Sequence, residues 1–67
     1  MTFTAVIHKE GSLYVAECPE TRSVSQGKTI EEALANLREA TELYLEETDY
    51  VPQYRALITT FEAAVNA

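Results

Sequence analysis

Sixty-seven residues with 11 acidic and 5 basic side chains, one cysteine and a net charge of −6 make a single domain, residues 1–67, that buries only roughly 60% of the surface its unfolded form exposes. Domains this small commonly gain stability from disulfides, metals or association; the lone Cys18 excludes an internal disulfide and no Cys/His cluster is present to bind a structural metal, so a homo-oligomer, most simply a dimer, is expected. Direct nucleic-acid contact is not expected without clustered Lys and Arg, no apolar run approaches a membrane span, and Thr2, Thr4, His8 and Lys9 interrupt any signal peptide, which makes a soluble cytoplasmic protein the expectation.

Two runs rich in aromatic and β-branched residues, Phe3 to Lys9 and Ser12 to Cys18, flank Glu10-Gly11 and read as a β-hairpin. Phe3, Ala5 and Ile7 alternate with Thr4, Val6 and His8, and Leu13, Val15 and Glu17 alternate with Tyr14, Ala16 and Cys18. Both faces of this hairpin carry apolar atoms. One is to be covered by a helix, and the other is a candidate surface for a second subunit; a two-fold interface would either join sheet edges or bury Val6, Tyr14 or the helical Leu43 against their symmetry mates. Pro19, which cannot donate to a ladder, ends the second strand, and a short third strand is expected over Ser23 to Gln26.

Gly27 then turns the chain into a helix whose start is marked by Thr29 and Glu32. These two form a T-x-x-E capping box, in which each side chain satisfies a backbone donor left open at the helix start. Ile30, Ala33, Leu34, Leu37, Thr41, Tyr44 and Leu45 recur at three- and four-residue spacing and form one apolar stripe. Glu39, Glu42 and Glu46 lie opposite it. Residues 31–49 hold Glu31, Glu32, Glu39, Glu42, Glu46, Glu47 and Asp49 against Arg38 alone, while the rest of the chain balances four acids with four bases. A basic protein partner would meet its complement here, the plainer alternative being a solvated face that confers solubility.

Asp49-Tyr50-Val51-Pro52 breaks the helix, with Pro52 biasing Val51 toward an extended conformation. The segment from Tyr54 to Val65 fits both periods: Ile58, Thr59, Thr60 and Phe61 favour a strand, and Leu57, Ile58, Phe61, Ala64 and Val65 also match helical spacing. Strand is the reading adopted, parallel to the first and third strands through a right-handed crossover. The expected fold is therefore α+β, β-β-β-α-β, a small mixed sheet with one long helix packed on one face.

In this order, Gly11-x-x-Tyr14-x-x-x-x-Cys18-Pro19, Ser25-Gln26-Gly27-x-Thr29-x-x-Glu32-Ala33 and the acidic helix ending near Tyr44-Leu45 resemble the N-terminal domain of the HicB antitoxins, over roughly residues 3 to 47. The resemblance implies a partial RNase H-like β-β-β-α-β fold. It also implies a partner, HicA, a small basic toxin that cleaves mRNA and whose active site the antitoxin occludes. Many HicB proteins carry a further DNA-binding domain, for which these 67 residues leave no separate segment, so autorepression is not implied. Glu20-Thr21-Arg22-Ser23 stands where many members have a Leu-Pro-Gly-Cys-like stretch.

Candidate chemistry is sparse. RNase H catalysis needs several carboxylates converging on divalent metals, one of them near the centre of the first strand, where this chain has Thr4, Ala5, Val6 and Ile7. Glu17 and Glu62 read as isolated exposed carboxylates and His8 as a strand-surface histidine without a catalytic partner. Cys18 lacks a neighbouring base or second thiol and reads as a small buried thiol. No catalytic residue, cofactor or metal site is expected. The leading expectation is an antitoxin-type binding protein whose candidate partner-binding residues are Glu39, Glu42 and Glu46. The alternatives are a stand-alone oligomeric HicB-like domain and a degenerate RNase H-like nuclease.

Overall fold

The computed structural model describes residues 1–49 and 52–66. Three strands, β1 (Val6–Glu10), β2 (Leu13–Cys18) and β3 (Ser23–Gly27), are followed by one helix, α1 (Ile30–Glu47), giving the expected α+β order β-β-β-α. The strands form one antiparallel sheet in the order β1-β2-β3. Ile7 faces Ala16 and Val6 faces Glu17 across the first pair, while Ala16 faces Ser25 across the second. This register puts Ile7, Tyr14, Ala16 and Cys18 on the helix side, and Val6, His8, Leu13, Val15 and Val24 on the other, because side chains alternate along a strand.

The connection between β1 and β2 is Gly11-Ser12, with Glu10 inside β1 rather than in the turn. Gly11 has φ +59° while Ser12 is not left-handed, the combination of a type II′ hairpin turn that matches the twist of its strands. Four residues, Pro19 to Arg22, join β2 to β3. Arg22 closes this loop with φ +62° and donates its amide to the Cys18 carbonyl at 2.7 Å.

The helix begins where the capping box places it. Thr29 is the N-cap, in extended conformation, and its Oγ1 accepts from the Glu32 amide at 3.0 Å. The return half is displaced by one residue: Glu32 Oε1 accepts from the Lys28 amide at 2.9 Å. Thr48 ends the helix as its C-cap, so its 18 residues span roughly 27 Å. Gly27 has a role different from the turn residue expected of it. A Cβ built on it would lie 2.6 Å from the Ala33 amide nitrogen and 2.9 Å from Glu32 carbon atoms, so glycine is what allows the first turn of α1 to sit on the end of β3.

Ala16, Cys18, Ala33 and Leu37 form the buried core, with Phe3, Ala5, Ile7 and Tyr14 packed partly against it. Tyr14, expected as a candidate subunit contact, thus belongs to the helix side of the sheet, where the Lys9 ammonium lies 5.8 Å from its ring centroid. Of the apolar stripe on α1, only Ala33, Leu37 and Thr41 are buried, whereas Ile30, Leu34 and Tyr44 remain exposed. Such a core is small for a chain of this length, and apolar side chains are left on both sides of the sheet.

The expected fourth strand is absent from the described residues. Residues 52–66 form neither strand nor helix, and the sheet is antiparallel rather than mixed. The Ala56 amide, which a strand ladder would use, is instead committed to the Glu20 carboxylate at 2.8 Å. The helix ends at Glu47, just ahead of the expected break Asp49-Tyr50-Val51-Pro52; Asp49 and Pro52 are not helical, and Tyr50 and Val51 lie outside the described residues.

Candidate functional site

Two surfaces carry the groups that the sequence singles out, and a third site, at Glu20, was not foreseen. The first surface is the outer face of α1. At 100° per residue, Glu39, Glu42 and Glu46 fall within a narrow arc opposite the buried Leu37, and all three are exposed. Leu43 is exposed beside them. Arg38 approaches Glu42 at 3.9 Å, one turn along the helix, and this is the only ion pair on α1 among the described residues. Exposed pairs of this type are worth roughly 0.3–0.5 kcal/mol, so the face keeps its negative field.

Glu42 and Arg38 also stand at the rim of the second surface, a groove of about 320 Å³ floored by Phe3, Ala5 and Cys18 and walled by Leu34, Leu37 and Leu45. The groove exists because α1 lies over β3 and β2: the Asn36 side-chain amide donates to the Gln26 carbonyl of β3 at 2.8 Å. The helix is thereby held toward one edge, and the inward side of the β1 end of the sheet stays open. The structure therefore divides the three glutamates, placing Glu42 at the groove and Glu39 and Glu46 on the outer face.

Glu20 joins both ends of the chain to the β2–β3 loop. Its carboxylate accepts from the Thr4 amide at 2.9 Å, the Thr4 hydroxyl at 2.6 Å, the Cys18 thiol at 3.3 Å and the Ala56 amide at 2.8 Å. The residue is only 4% exposed. Burial alone would raise its carboxyl, but the Thr4 hydroxyl and the Ala56, Thr4 and Cys18 donors outweigh that and hold it down at about 2, against an ordinary 4.5. Nearby, the Tyr54 hydroxyl donates to the Pro19 carbonyl at 2.9 Å, a second tie between the C-terminal segment and the same loop.

The remaining candidates have local settings. His8 Nε2 lies 3.2 Å from Glu10 Oε2 on the exposed outer face of the sheet, and the Cys18 thiol is buried and unbridged. Glu17 and Glu62 are exposed. Among the described residues no three His, Cys, Asp or Glu side chains are grouped as metal ligands, and no helix is long and apolar enough to cross a membrane.

Comparison with known proteins decides the family. A UPF0150 protein of Helicobacter pylori (strain J99) is 40% identical over 70 aligned residues, covering 96% of this chain and 97% of that protein. The chain belongs to the UPF0150 family. A second UPF0150 protein, from Synechocystis sp., is 38% identical over 48 residues, 70% of each chain. No protein-family model matches the chain, and no solved structure matches it.

Proposed function

We propose that this UPF0150 chain is an antitoxin-type protein of the HicB kind, which binds a small basic mRNA-cleaving toxin of the HicA kind and occludes its active site. The observation that carries the reading is the acidic outer face of α1. Seven acids against one arginine are gathered in residues 31–49, and Glu39 and Glu46 stand exposed on the helix surface away from the core. Such a face attracts a basic partner over a distance comparable to the Debye length, about 8 Å at physiological salt, and favours one orientation on encounter. The resemblance of the hairpin exit and of the Ser25 to Ala33 run to HicB antitoxins supports the choice of partner class. The proposed setting is the cytoplasm, where Cys18 would persist as the free thiol it is here.

Co-expression of the full chain with small basic proteins encoded beside its gene tests the proposal. Growth arrest by such a protein alone, rescue by this chain, and recovery of a stoichiometric complex are expected. Arrest without rescue or complex would overturn the reading. A stand-alone homo-oligomeric domain is the second reading, favoured by the apolar side chains that the single chain leaves exposed, Val6 and Val24 on the outer face of the sheet and Ile30, Leu34 and Leu43 on α1.

A further inference from the structure

The segment after Ala56 is built like a strand and has no place in its own chain. Leu57, Thr59, Phe61, Ala63 and Val65 alternate with Ile58, Thr60, Glu62 and Ala64, so in an extended segment one face is almost wholly apolar. Leu57, Phe61 and Val65 are nonetheless 93%, 88% and 88% exposed. The radius of gyration is 14.0 Å and the longest extent 46 Å, whereas a compact chain of this length has a radius near roughly 11 Å. The difference reflects a tail that leaves the domain rather than folding onto it.

An acceptor of matching chemistry is present on the same molecule. β1 is an edge strand, and beside it opens the apolar groove lined by Phe3, Ala5, Leu34, Leu37 and Leu45. In the single chain that groove stays open: Ala56 is held at Glu20, and Leu57 and Phe61 beyond it remain exposed. We propose that residues 57–66 of one copy add as a fourth strand beside β1 of a second copy, with Leu57 and Phe61 entering its groove, and that the exchange is reciprocal in a two-fold dimer.

Two quantities favour a second copy as the occupant, and Glu62 is the only charged side chain that residues 57–66 would bring to it. Its ten residues, at about 3.3 Å each, are long enough to span the five residues of β1 with length to spare. Leu57, Phe61 and Val65 share one face of the extended segment; burying them at roughly 60–120 Å² apiece, twice over and with the surface they cover, removes on the order of 1,100 Å², about the least that a specific interface buries. Exchange also supplies what the fold lacks, since it covers an edge strand and enlarges a small core. The inference goes beyond the toxin-binding reading and needs no toxin for its test.

The full chain at tens of micromolar should show twice its 7.5 kDa mass in light scattering. In an equimolar mixture of isotope-labelled and unlabelled chains, filtered NOE spectra should connect Leu57 and Phe61 of one copy to Phe3 and Ala5 of the other. A Thr59→Pro/Thr60→Pro variant removes one donor on each side of the added strand, and Phe61→Asp places a charge in the groove; both should give monomers that keep the circular dichroism of α1. A monomeric wild type overturns the proposal. So do a dimer without tail-to-groove NOEs between copies and a dimer mass unchanged in both variants. Should the variants fail to fold, the wild-type NOE pattern alone decides.

Discussion

Thr4 and Glu20, sixteen positions apart, are joined twice: the Thr4 amide and the Thr4 hydroxyl each donate to a different oxygen of the same buried carboxylate. Ala56, a further 36 positions from Glu20, completes the junction. One side chain in a loop thus positions both the segment leading into β1 and the departure of the C-terminal tail. No cation approaches Glu20 among its contacts; hydrogen bonds to neutral donors alone hold the charge. Donors aimed at an ionised acceptor are about twice as strong as those between neutral groups.

Acid should release this junction. The folded-state pKa of Glu20, about 2, lies below the ordinary 4.5, so the unfolded chain binds the extra proton more readily. The stabilisation is complete above about pH 4.5 and is lost as pH falls toward 2. Glu20→Gln, which keeps the shape and removes the charge, should cost on the order of 2 kcal/mol at pH 7. It should also flatten the decline of Tm between about pH 5 and 2. Thermal melts of both proteins across that range check this; an equally steep decline in the variant would assign the acid sensitivity to other groups.

Gly27→Ala should be among the most damaging single-atom additions in the chain. The new methyl would stand 2.6 Å from the Ala33 amide nitrogen, a backbone atom of the first helical turn that cannot rotate away. Either α1 lifts from β3 or the end of β3 shifts, and overpacking of this kind costs roughly 1–3 kcal/mol or more. Denaturant titration would measure it. A loss below about 0.5 kcal/mol would mean that the helix start is not held against the strand as tightly as the geometry requires.

Thr29→Ala removes the N-cap acceptor of the Glu32 amide and should destabilise by about 1 kcal/mol, which for a domain of this size lowers Tm by roughly 4–8 °C. Thr29→Ser, which keeps the hydroxyl, should restore most of the loss. Glu32→Gln should have a smaller effect, because its own bond to the Lys28 amide is exposed. An unchanged Tm in the alanine variant would rule out Thr29 as an energetically significant cap.

The ordered part of the fold was legible because its signals are local. Alternation set the strands, with β1 beginning at Val6 rather than Phe3, and Thr29 with Glu32 fixed the start of α1 to the residue. Glu20 carries no such signal: its donors at Thr4 and Ala56 come from distant parts of the chain, and an isolated carboxylate after proline resembles any surface loop residue. The tail was legible as strand-like by composition, but whether it pairs depends on a partner strand within reach, which periodicity does not encode. Gly27 was recognised as special for the wrong reason, since closeness of β3 to α1 is a tertiary property. The acidic arc of Glu39, Glu42 and Glu46 followed from helical spacing, whereas the position of Glu42 at the groove depends on where α1 crosses the sheet.

That last distinction shapes the test of the toxin-binding surface. Replacing all three glutamates with glutamine removes three charges with little effect on packing, but it also frees Arg38 from Glu42 and alters the groove rim. A Glu39→Gln/Glu46→Gln variant touches only the outer face and is the cleaner probe. Long-range attraction acts mainly on the association rate and weakens with salt, while contacts in the closed complex govern dissociation. The double variant should therefore bind a cognate toxin with an on-rate lowered several-fold at low ionic strength and a shallower salt dependence, and the triple variant should extend the same trend. Stopped-flow association at two or more salt concentrations measures both quantities. An on-rate equal to wild type at low salt, in a variant with unchanged Tm, would make the acidic arc a solvated face and move any occlusion of a toxin to the sheet or the C-terminal segment.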